Sequence, residues 1–335
     1  METSALEKYK QAFSKLRVDA VPRRYTEATN NRAPYKPFLL LSILDLVAQH
    51  EIKTNFIELN ANLLDVYDLY CTRVTGQDKE NNPVLPFFHL KSEGFWRLVP
   101  QPGKTDQLQG TRQIRSLRDF RLLVLGATFD DELFALMQLS NERDELRRVL
   151  IEQYFAPDMR PVLVETGAIT KDAFEYSREL LDRSRGIFKI EEAPTIDEQF
   201  LTESRSVGFR RVVIQAYNHT CAVCGIRLLT PEGRTAVAAA HIVPWSHSHN
   251  DDPRNGLALC GLHHWAFDQG MITVTPAHEV AVSNTVSEDD VTAAIRALAG
   301  CRIQKPSEDY LWPALPALRW HNRNIFRTDV LRRLF

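Results

Sequence analysis

The spacing of apolar positions predicts a mainly helical N-terminal half. Four helical patterns follow an amphipathic opening helix, near residues 37–50, 59–72, 130–139 and 141–155. The apolar run that starts at Pro37 is interrupted by Asp45 and is too short to cross a bilayer, so it predicts a buried helix. Two shorter apolar runs, Phe87–Leu90 and Phe95–Leu98, flank Lys-Ser-Glu-Gly. They predict a β-hairpin with Gly94 in its turn.

The pattern changes after residue 155. Ala156-Pro157 ends the helical half, and residues 156–203 contain one helical segment, Lys171 to Arg183, and an acidic stretch typical of linkers. A further helix begins near Ser204. These changes predict an α+β chain with a mainly helical domain at 1–155, a linker at 156–203 and a second domain at 204–335.

The second domain has a short predicted helix between strand-like segments. Gly261 to Asp268 forms this helix, Gly270 stops it, and Met271 to Val274 continues as a strand. Adjacent residues on a helix point about 100° apart, so His263 and His264 cannot easily serve one metal ion. His264 and Asp268 are four residues apart and share a face.

Composition restricts the chain to an ordinary soluble class. Of 335 residues, 44% are hydrophobic and 25% charged, and the net charge is −2, so any contact with DNA must come from local basic patches. Two candidate helical stripes have such charges: Arg112, Arg115 and Arg118, and Arg319, Arg323 and Arg327. No signal peptide opens the chain, which predicts a reducing cytoplasmic location without disulfides or membrane insertion.

Four residues have the spacing of a structural zinc site. Cys221 and Cys224 form a C-x-x-C pair, and Cys260 and His263 form a C-x-x-H pair. Two such pairs can close on one tetrahedral Zn²⁺. Buried free thiols or a disulfide between Cys221 and Cys224 are the alternatives, and the expected reducing location disfavours the disulfide. His241, Asn255, His264 and Asp268 are left for a second site, with intervals of fourteen residues from His241 to Asn255 and nine from Asn255 to His264.

This order and spacing resemble an HNH nuclease module, in which a strand pair and a helix surround a catalytic metal. The resemblance implies that His241 is the general base and that His264, with Asp268, holds Mg²⁺ or Mn²⁺. It implies that Asn255 fixes the loop and orients the histidine, and that the substrate is double-stranded DNA. Many such modules place an acid or histidine before the catalytic histidine, whereas this chain has Ala240.

The N-terminal half is similar to the sulfur-binding domain of type IV restriction endonucleases, which reads phosphorothioate DNA. The similar segments are Arg32-Ala-Pro-Tyr-Lys-Pro37, Leu85-Pro-Phe-Phe-His-Leu90 and Glu93-Gly-Phe-Trp96. His89 stands where an arginine is frequent, and Tyr35 where a histidine is frequent. An apolar patch would accept sulfur more cheaply than an oxygen anion. The expected DNA contacts are Arg32, Pro34, Tyr35, Lys36, Pro86 and His89.

The sequence therefore predicts a type IV restriction endonuclease that cuts phosphorothioate-modified DNA, acting as a homodimer where both strands are cut. Two alternatives stay open. The first is an HNH endonuclease that reads methylated or unmodified DNA. The second, raised by Ala240, is a zinc-stabilised DNA-binding protein with a dead nuclease site.

Overall fold

The structure of the protein is a computed structural model that divides the chain into two compact units. It describes residues 4–21, 23–76, 81–190, 198–230, 234–287 and 292–328, without the side chains of 198–202. The first unit comprises Met1–Lys171 with Pro231–Arg234, and the second comprises Asp172–Thr230 with Thr235–Phe335. Most of the acidic stretch expected to be a linker lies outside the described residues. The functional limits at 155 and 204 stay a prediction.

The first unit is mainly helical, as the apolar spacing predicts. Its elements are α1 (Ala5–Ser14), α2 (Tyr35–Ala48), α3 (Ala61–Thr75), α4 (Val84–His89), β1 (Trp96–Pro100), α5 (Thr105–Gly110), α6 (Leu117–Leu123), β2 (Val124–Phe129), α7 (Asp131–Gln138), α8 (Ser140–Tyr154) and the N-terminal part of α9 (Arg160–Arg183). Helix α2 begins two residues before Pro37, and every residue from Lys36 to Val47 is buried. The single predicted segment at 171–183 is the C-terminal half of α9.

The predicted hairpin is wrong. Phe87–Leu90 does not form a strand, because Val84–His89 is helix α4 and Leu90–Glu93 continues it as a 3₁₀ turn. Gly94, with a φ of 84°, ends that turn. Strand β1 pairs instead with β2, antiparallel, with Trp96 opposite Phe129. A short continuous apolar run fits a buried helix as well as a strand, and here four of the six helix residues are buried.

A carboxylate–guanidinium pair lies buried in the core of the first unit. Asp45 of α2 is 3% exposed, and its carboxylate binds the Arg147 guanidinium of α8. The Tyr70 hydroxyl donates to the second carboxylate oxygen at 2.8 Å. Burial raises the pKa of the Asp45 carboxyl, while the nearby Arg147 charge opposes the shift. The apolar pattern is therefore interrupted at Asp45 by a paired carboxylate.

The second unit combines helices with two small antiparallel sheets. Its elements after the C-terminal part of α9 are α10 (Glu198–Ala216), β3 (Val237–His241), α11 (Trp245–Ser248), β4 (Gly256–Cys260), α12 (Gly261–Asp268), β5 (Ile272–Val274), β6 (Val280–Val282), α13 (Ala293–Arg296) and α14 (Leu315–Asn324). Both predictions for 261–268 and the following strand are confirmed. The predicted α+β class is confirmed as well.

The β3–β4 pair carries residues of both candidate sites. Its antiparallel register places His241 opposite Gly256 at one end and Val237 opposite Cys260 at the other. A Cβ at Gly256 would lie 2.5 Å from Val213 Cγ2 and 3.0 Å from Phe209 Cζ, so only glycine lets α10 pack this closely. Helix α12 follows β4 directly and forms the third part of a ββα arrangement.

Neither arginine stripe forms one continuous helix face. Arg112 and Arg115 lie in irregular backbone before α6, and only Arg118 lies on that helix. Arg319 and Arg323 lie on α14, but Arg327 follows its end, where its backbone N–H donates to the Gly270 carbonyl at 3.0 Å. Across the described ranges, no helix has the length and apolarity to cross a membrane.

Candidate functional site

The two cysteine-containing pairs come together as one cluster. The ligand atoms of Cys221, Cys224, Cys260 and His263 all lie within 4.8 Å of one another. His263 Nδ1 is 3.5 Å from Cys221 Sγ and 3.2 Å from Cys260 Sγ. Zinc–sulfur bonds of about 2.3 Å in a tetrahedron give ligand separations of about 3.8 Å, so the spacing fits one ion. The cluster could therefore hold a metal.

Local backbone geometry explains how these ligands meet. Cys221 and Cys224 flank a tight turn in which the Gly225 N–H donates to the Cys221 carbonyl at 2.9 Å, with a φ of 71° at Gly225. Cys260 ends β4, and His263 lies in the first turn of α12. Burial raises the pKa of the Cys221 thiol and lowers that of His263. A neutral imidazole is the form that binds metal, whereas the thiol must lose its proton to do so.

His241 ends β3 and is fixed on two sides. Its ring stacks on Phe209 of α10, with centroids 4.0 Å apart and planes 9° apart. Its Nε2 lies 2.9 Å from Asp251 Oδ1. The side chain is 23% exposed, so solvent can reach part of the ring. The residue expected to be the base is therefore held rigidly at a solvent-accessible position.

Asp251 is a buried carboxylate that joins three elements. Its second oxygen, Oδ2, accepts hydrogen bonds from Tyr176 Oη at 2.9 Å and Arg205 Nη2 at 3.1 Å. Tyr176 lies on α9 and Arg205 on α10. The Arg205 guanidinium also covers the Trp245 ring at 3.8 Å. Burial, followed by the Asp251 charge, raises the pKa of Tyr176, so this hydroxyl stays a donor.

Asn255 is fully buried, and its side-chain amide binds only the loop around it. Its Oδ1 accepts from the Val243 N–H at 2.9 Å, and its Nδ2 donates to the Val243 and Asn250 carbonyls at 3.1 and 3.0 Å. The Asn255 carbonyl accepts from the Ile242 N–H at 2.8 Å. These bonds fit the expected role of fixing the loop that follows His241.

His264 and Asp268 share one face of α12, as their spacing predicts. His264 Nε2 lies 3.5 Å from Asp268 Oδ2, and their side chains are 31% and 54% exposed. Burial raises the pKa of the Asp268 carboxyl, and the His264 charge opposes this. Among the described residues, the cysteine cluster is the one group of three or more Cys, His, Asp or Glu ligands within reach of a single ion. A divalent ion at His264 and Asp268 would need further oxygens from water or phosphate.

The six N-terminal candidates differ in accessibility. Arg32 is exposed, Tyr35 and His89 are half-buried, and Pro34, Lys36 and Pro86 are buried. The Lys36 ammonium binds the Glu93 carboxylate and donates to the Arg17 carbonyl at 2.9 Å. Burial lowers the pKa of His89, and the Lys36 and Lys91 charges lower it further. Arg32, Tyr35 and His89 are thus the candidates that solvent or a ligand reaches.

Sequence reasoning missed Asp251, Tyr176 and Arg205. Asp251 lies in a Ser/Asn/Asp-rich stretch typical of an exposed loop, yet it is 5% exposed. Tyr176 lies in the segment predicted as a linker. The carboxylate ten residues after His241 was the available signal, but sequence spacing alone does not reveal its hydrogen bonds.

Part of the second unit is similar to known proteins. Residues 221–275 match the model of the HNH endonuclease family, so this segment is similar to an HNH endonuclease domain. A solved structure described as a modification-dependent TagI restriction endonuclease matches at 24% identity, with a TM-score of 0.27. That match covers 35% of this chain and 37% of the other, so this chain aligns with little more than a third of that protein. No curated protein matches.

Proposed function

We propose that the protein is a modification-dependent DNA endonuclease of the type IV restriction class. The observation that carries the proposal is the HNH domain in which β3 ends at His241 and α12 presents His264 beside Asp268. Substrate DNA would lie against these two histidines. The cytoplasm, where foreign DNA arrives, is the proposed place of action.

His241 acts as the general base in the proposed hydrolysis. It accepts a proton from a water molecule, whose oxygen attacks phosphorus in line and displaces the 3′ oxygen. His264 and Asp268 hold the divalent ion, proposed to be Mg²⁺ or Mn²⁺. When bound, that ion supplies charge stabilisation at the phosphate and the leaving oxygen. Asn255 keeps the loop after His241 in place. The products carry 5′-phosphate and 3′-hydroxyl ends.

Zn²⁺ is the proposed ion of the Cys221, Cys224, Cys260 and His263 cluster. Three sulfur ligands and one imidazole nitrogen are a donor set typical of structural zinc, and none of the four is needed for proton transfer. The ion would hold the loop of Cys221 and Cys224 against the end of β4 and the start of α12. A homodimer would bring two HNH sites to the two DNA strands.

Recognition is assigned to the first unit, with a phosphorothioate as the proposed modification. Sulfur is larger and less strongly hydrated than oxygen, so partly apolar surroundings favour it over an oxygen anion. The half-buried Tyr35 and His89 would face the sulfur, beside the buried Pro34 and Pro86. Lys36 already binds Glu93, so we assign the flanking phosphate contact to the exposed Arg32.

Metal-dependent plasmid nicking tests the catalytic proposal. The wild-type protein should nick DNA with Mg²⁺ or Mn²⁺ and lose this activity in EDTA. His241→Ala should lower the rate by about 10²- to 10⁴-fold without loss of DNA binding. His247→Ala is the matched control, because the proposed hydrolysis gives this histidine no role. His247 is exposed and packs on Trp320, with 4.7 Å between the ring centroids. Wild-type protein that binds DNA but nicks nothing would support the dead-nuclease alternative.

Recognition is tested with the uncleaving His241→Ala protein and three duplexes of one sequence: phosphorothioated, methylated and plain. The phosphorothioated duplex should bind most tightly, and its preference should survive added salt. The logarithm of each binding constant falls with the logarithm of the salt concentration, with a slope of roughly −0.9 per neutralised phosphate. This slope is nearly the same for all three duplexes, so it cancels in the ratio of their binding constants. Tyr35→Ala should reduce the preference, whereas Arg32→Ala should weaken all three alike. A preference for the methylated duplex, or none, would overturn the phosphorothioate proposal.

A further inference from the structure

The carboxylate behind His241 occupies a defined position relative to the imidazole. Asp251 Oδ1 lies 2.9 Å from His241 Nε2, and the carboxylate is 5% exposed. A carboxylate only accepts hydrogen bonds, so this contact places a proton on Nε2. In neutral imidazole the other nitrogen, Nδ1, then carries the free lone pair.

We propose that Asp251 is a positioning residue that sets the tautomer of His241, so that Nδ1 is the atom that accepts the proton from water. Tyr176 and Arg205 hold Asp251 in place by donating to its Oδ2. This inference rests on the proposed role of His241 as the base. Beyond that role, Nδ1 is assigned as the atom that accepts the proton, and Asp251, Tyr176 and Arg205 as the residues that orient the imidazole.

The ring of His241 has little freedom to escape this arrangement. Stacking on Phe209, with planes 9° apart, fixes the plane of the ring. The hydrogen bond from Nε2 to Asp251 fixes the rotation within that plane. Together these contacts leave one orientation of Nδ1. A base that must meet a water molecule in line with a phosphate needs such a fixed direction.

Asp251 is itself held from two helices that pack unusually closely. A Cβ at Gly208 of α10 would lie 2.9 Å from the Ala173 carbonyl oxygen and 3.0 Å from Tyr176 Cδ1. Ser177 Oγ donates to the Gly208 carbonyl at 3.2 Å. The glycine therefore sets the separation of α9 and α10, and with it the positions of the Tyr176 and Arg205 donors. The Arg205 guanidinium also packs over the Trp245 ring, 3.8 Å from its centroid.

Asp251→Asn distinguishes a tautomer-setting role from simple loop stabilisation. Arg205 is a donor only, so it should retain the amide oxygen and turn the amide nitrogen toward His241. An N–H donor facing Nε2 requires Nε2 to accept, which moves the imidazole proton to Nδ1. The base would then present its protonated nitrogen to the water. Replacing an orienting carboxylate by an amide in a catalytic triad lowers kcat by roughly 10⁴-fold for this reason.

The experiment uses the full-length protein and reads the tautomer directly. Histidine labelled with ¹⁵N gives imidazole ¹⁵N–¹H correlations, and His241→Gln identifies which of the 10 histidines gives the His241 signal. Wild-type His241 should be protonated at Nε2 and Asp251→Asn at Nδ1. Nicking by Asp251→Asn should show a kcat lowered on the order of 10³-fold or more with an unchanged KM for DNA.

Two further variants separate the proposed role from a structural one. Asp252→Asn alters the neighbouring carboxylate, which is also 5% exposed but binds Arg254 instead. It should keep the Nε2 tautomer and the wild-type kcat. Tyr176→Phe removes one of the two donors to Asp251 Oδ2 and should lower kcat less than Asp251→Asn, with the tautomer kept.

Two results would overturn the inference: a wild-type His241 protonated at Nδ1, or an Asp251→Asn protein with wild-type tautomer and kcat. The wild-type spectrum decides the first even if a variant fails to fold. Failure of the proposed function is separate, because His241→Ala would then still nick DNA whatever tautomer the spectrum shows.

Discussion

Each of the two units of this protein is stabilised internally in a different way. In the first unit, α2 is buried along nearly its whole length, and the core surrounds one carboxylate–guanidinium pair. In the second unit, the strands contain three to five residues, and β4 ends at a cluster of cysteine and histidine ligands. Burial of apolar side chains can by itself stabilise the first unit, whereas the second unit has a cluster beside its core that could hold a metal ion. Their stabilities should therefore respond to different perturbations.

Loss of a metal ligand should produce the largest difference between the units. Structural zinc contributes on the order of 10 kcal/mol to the folding of small zinc modules. Cys260→Ser should therefore abolish the unfolding transition of the second unit and leave that of the first. Calorimetry with a zinc assay measures both. Cys301→Ser, at an exposed cysteine outside the cluster, should change neither. A Cys260→Ser protein that keeps both unfolding transitions and holds less than one zinc per chain would contradict the stabilisation of the second unit by zinc.

Breaking the buried ion pair should give the reverse pattern. Arg147→Met leaves the Asp45 carboxylate buried without its charged partner, which costs about 3–5 kcal/mol. The transition of the first unit should move to lower temperature, and that of the second should not move. Arg148→Met is the matched control, because Arg148 is 55% exposed and pairs with Glu145 at the surface. The control should cost less than about 1 kcal/mol. Equal losses of stability in Arg147→Met and Arg148→Met would contradict the stabilising role of the buried Asp45–Arg147 pair.

Acid should weaken the second unit through His321. This buried histidine stacks on Phe267, and burial lowers its pKa to about 4. The unfolded chain takes up the proton near pH 6.5, so stability is complete above that pH and falls as pH drops toward 4. Between pH 7 and pH 5 the loss should be about 2 kcal/mol.

His321→Gln tests this pH dependence, since glutamine cannot take up the proton. Denaturant unfolding of the second unit at pH 7 and pH 5 should show a smaller loss in the variant than in the wild type. The cluster of Cys221, Cys224, Cys260 and His263 is common to both proteins, so any pH dependence that it contributes cancels in the difference. An identical pH dependence in the two proteins would show that His321 does not contribute.

The sequence predicted some elements well because one local signal decided them. Helix α12 has the predicted bounds, since Gly261 begins it, Gly270 follows its end, and His264 and Asp268 stand at a helical interval of four residues. The cysteine cluster was predictable for the same reason, because C-x-x-C and C-x-x-H spacings are local. Helix α4 was mistaken for a strand because periodicity over six residues does not distinguish a buried helix from a buried strand.

Asp251 illustrates what no local signal contains. Its three hydrogen-bond partners lie 10, 46 and 75 residues away along the chain. A carboxylate in an Asn-Asp-Asp-Pro stretch is ordinarily solvated, and only the packing of α9 and α10 makes this one a buried acceptor. The same packing assigns Tyr176 to the second unit, although its surroundings in the sequence predicted a linker.

Ala240 has a consequence for how this domain can change over evolutionary time. Its side chain is 1% exposed within the apolar core, and it pairs with Leu257 across the strands. An aspartate appearing there by one mutation would place an unpaired carboxylate in that core. A protein with the Ala240→Asp change alone would therefore be unstable. That unstable protein separates this chain from the form of the motif that has an acid before the histidine. Neighbouring core residues would have to change first for a descendant of this protein to acquire that acid.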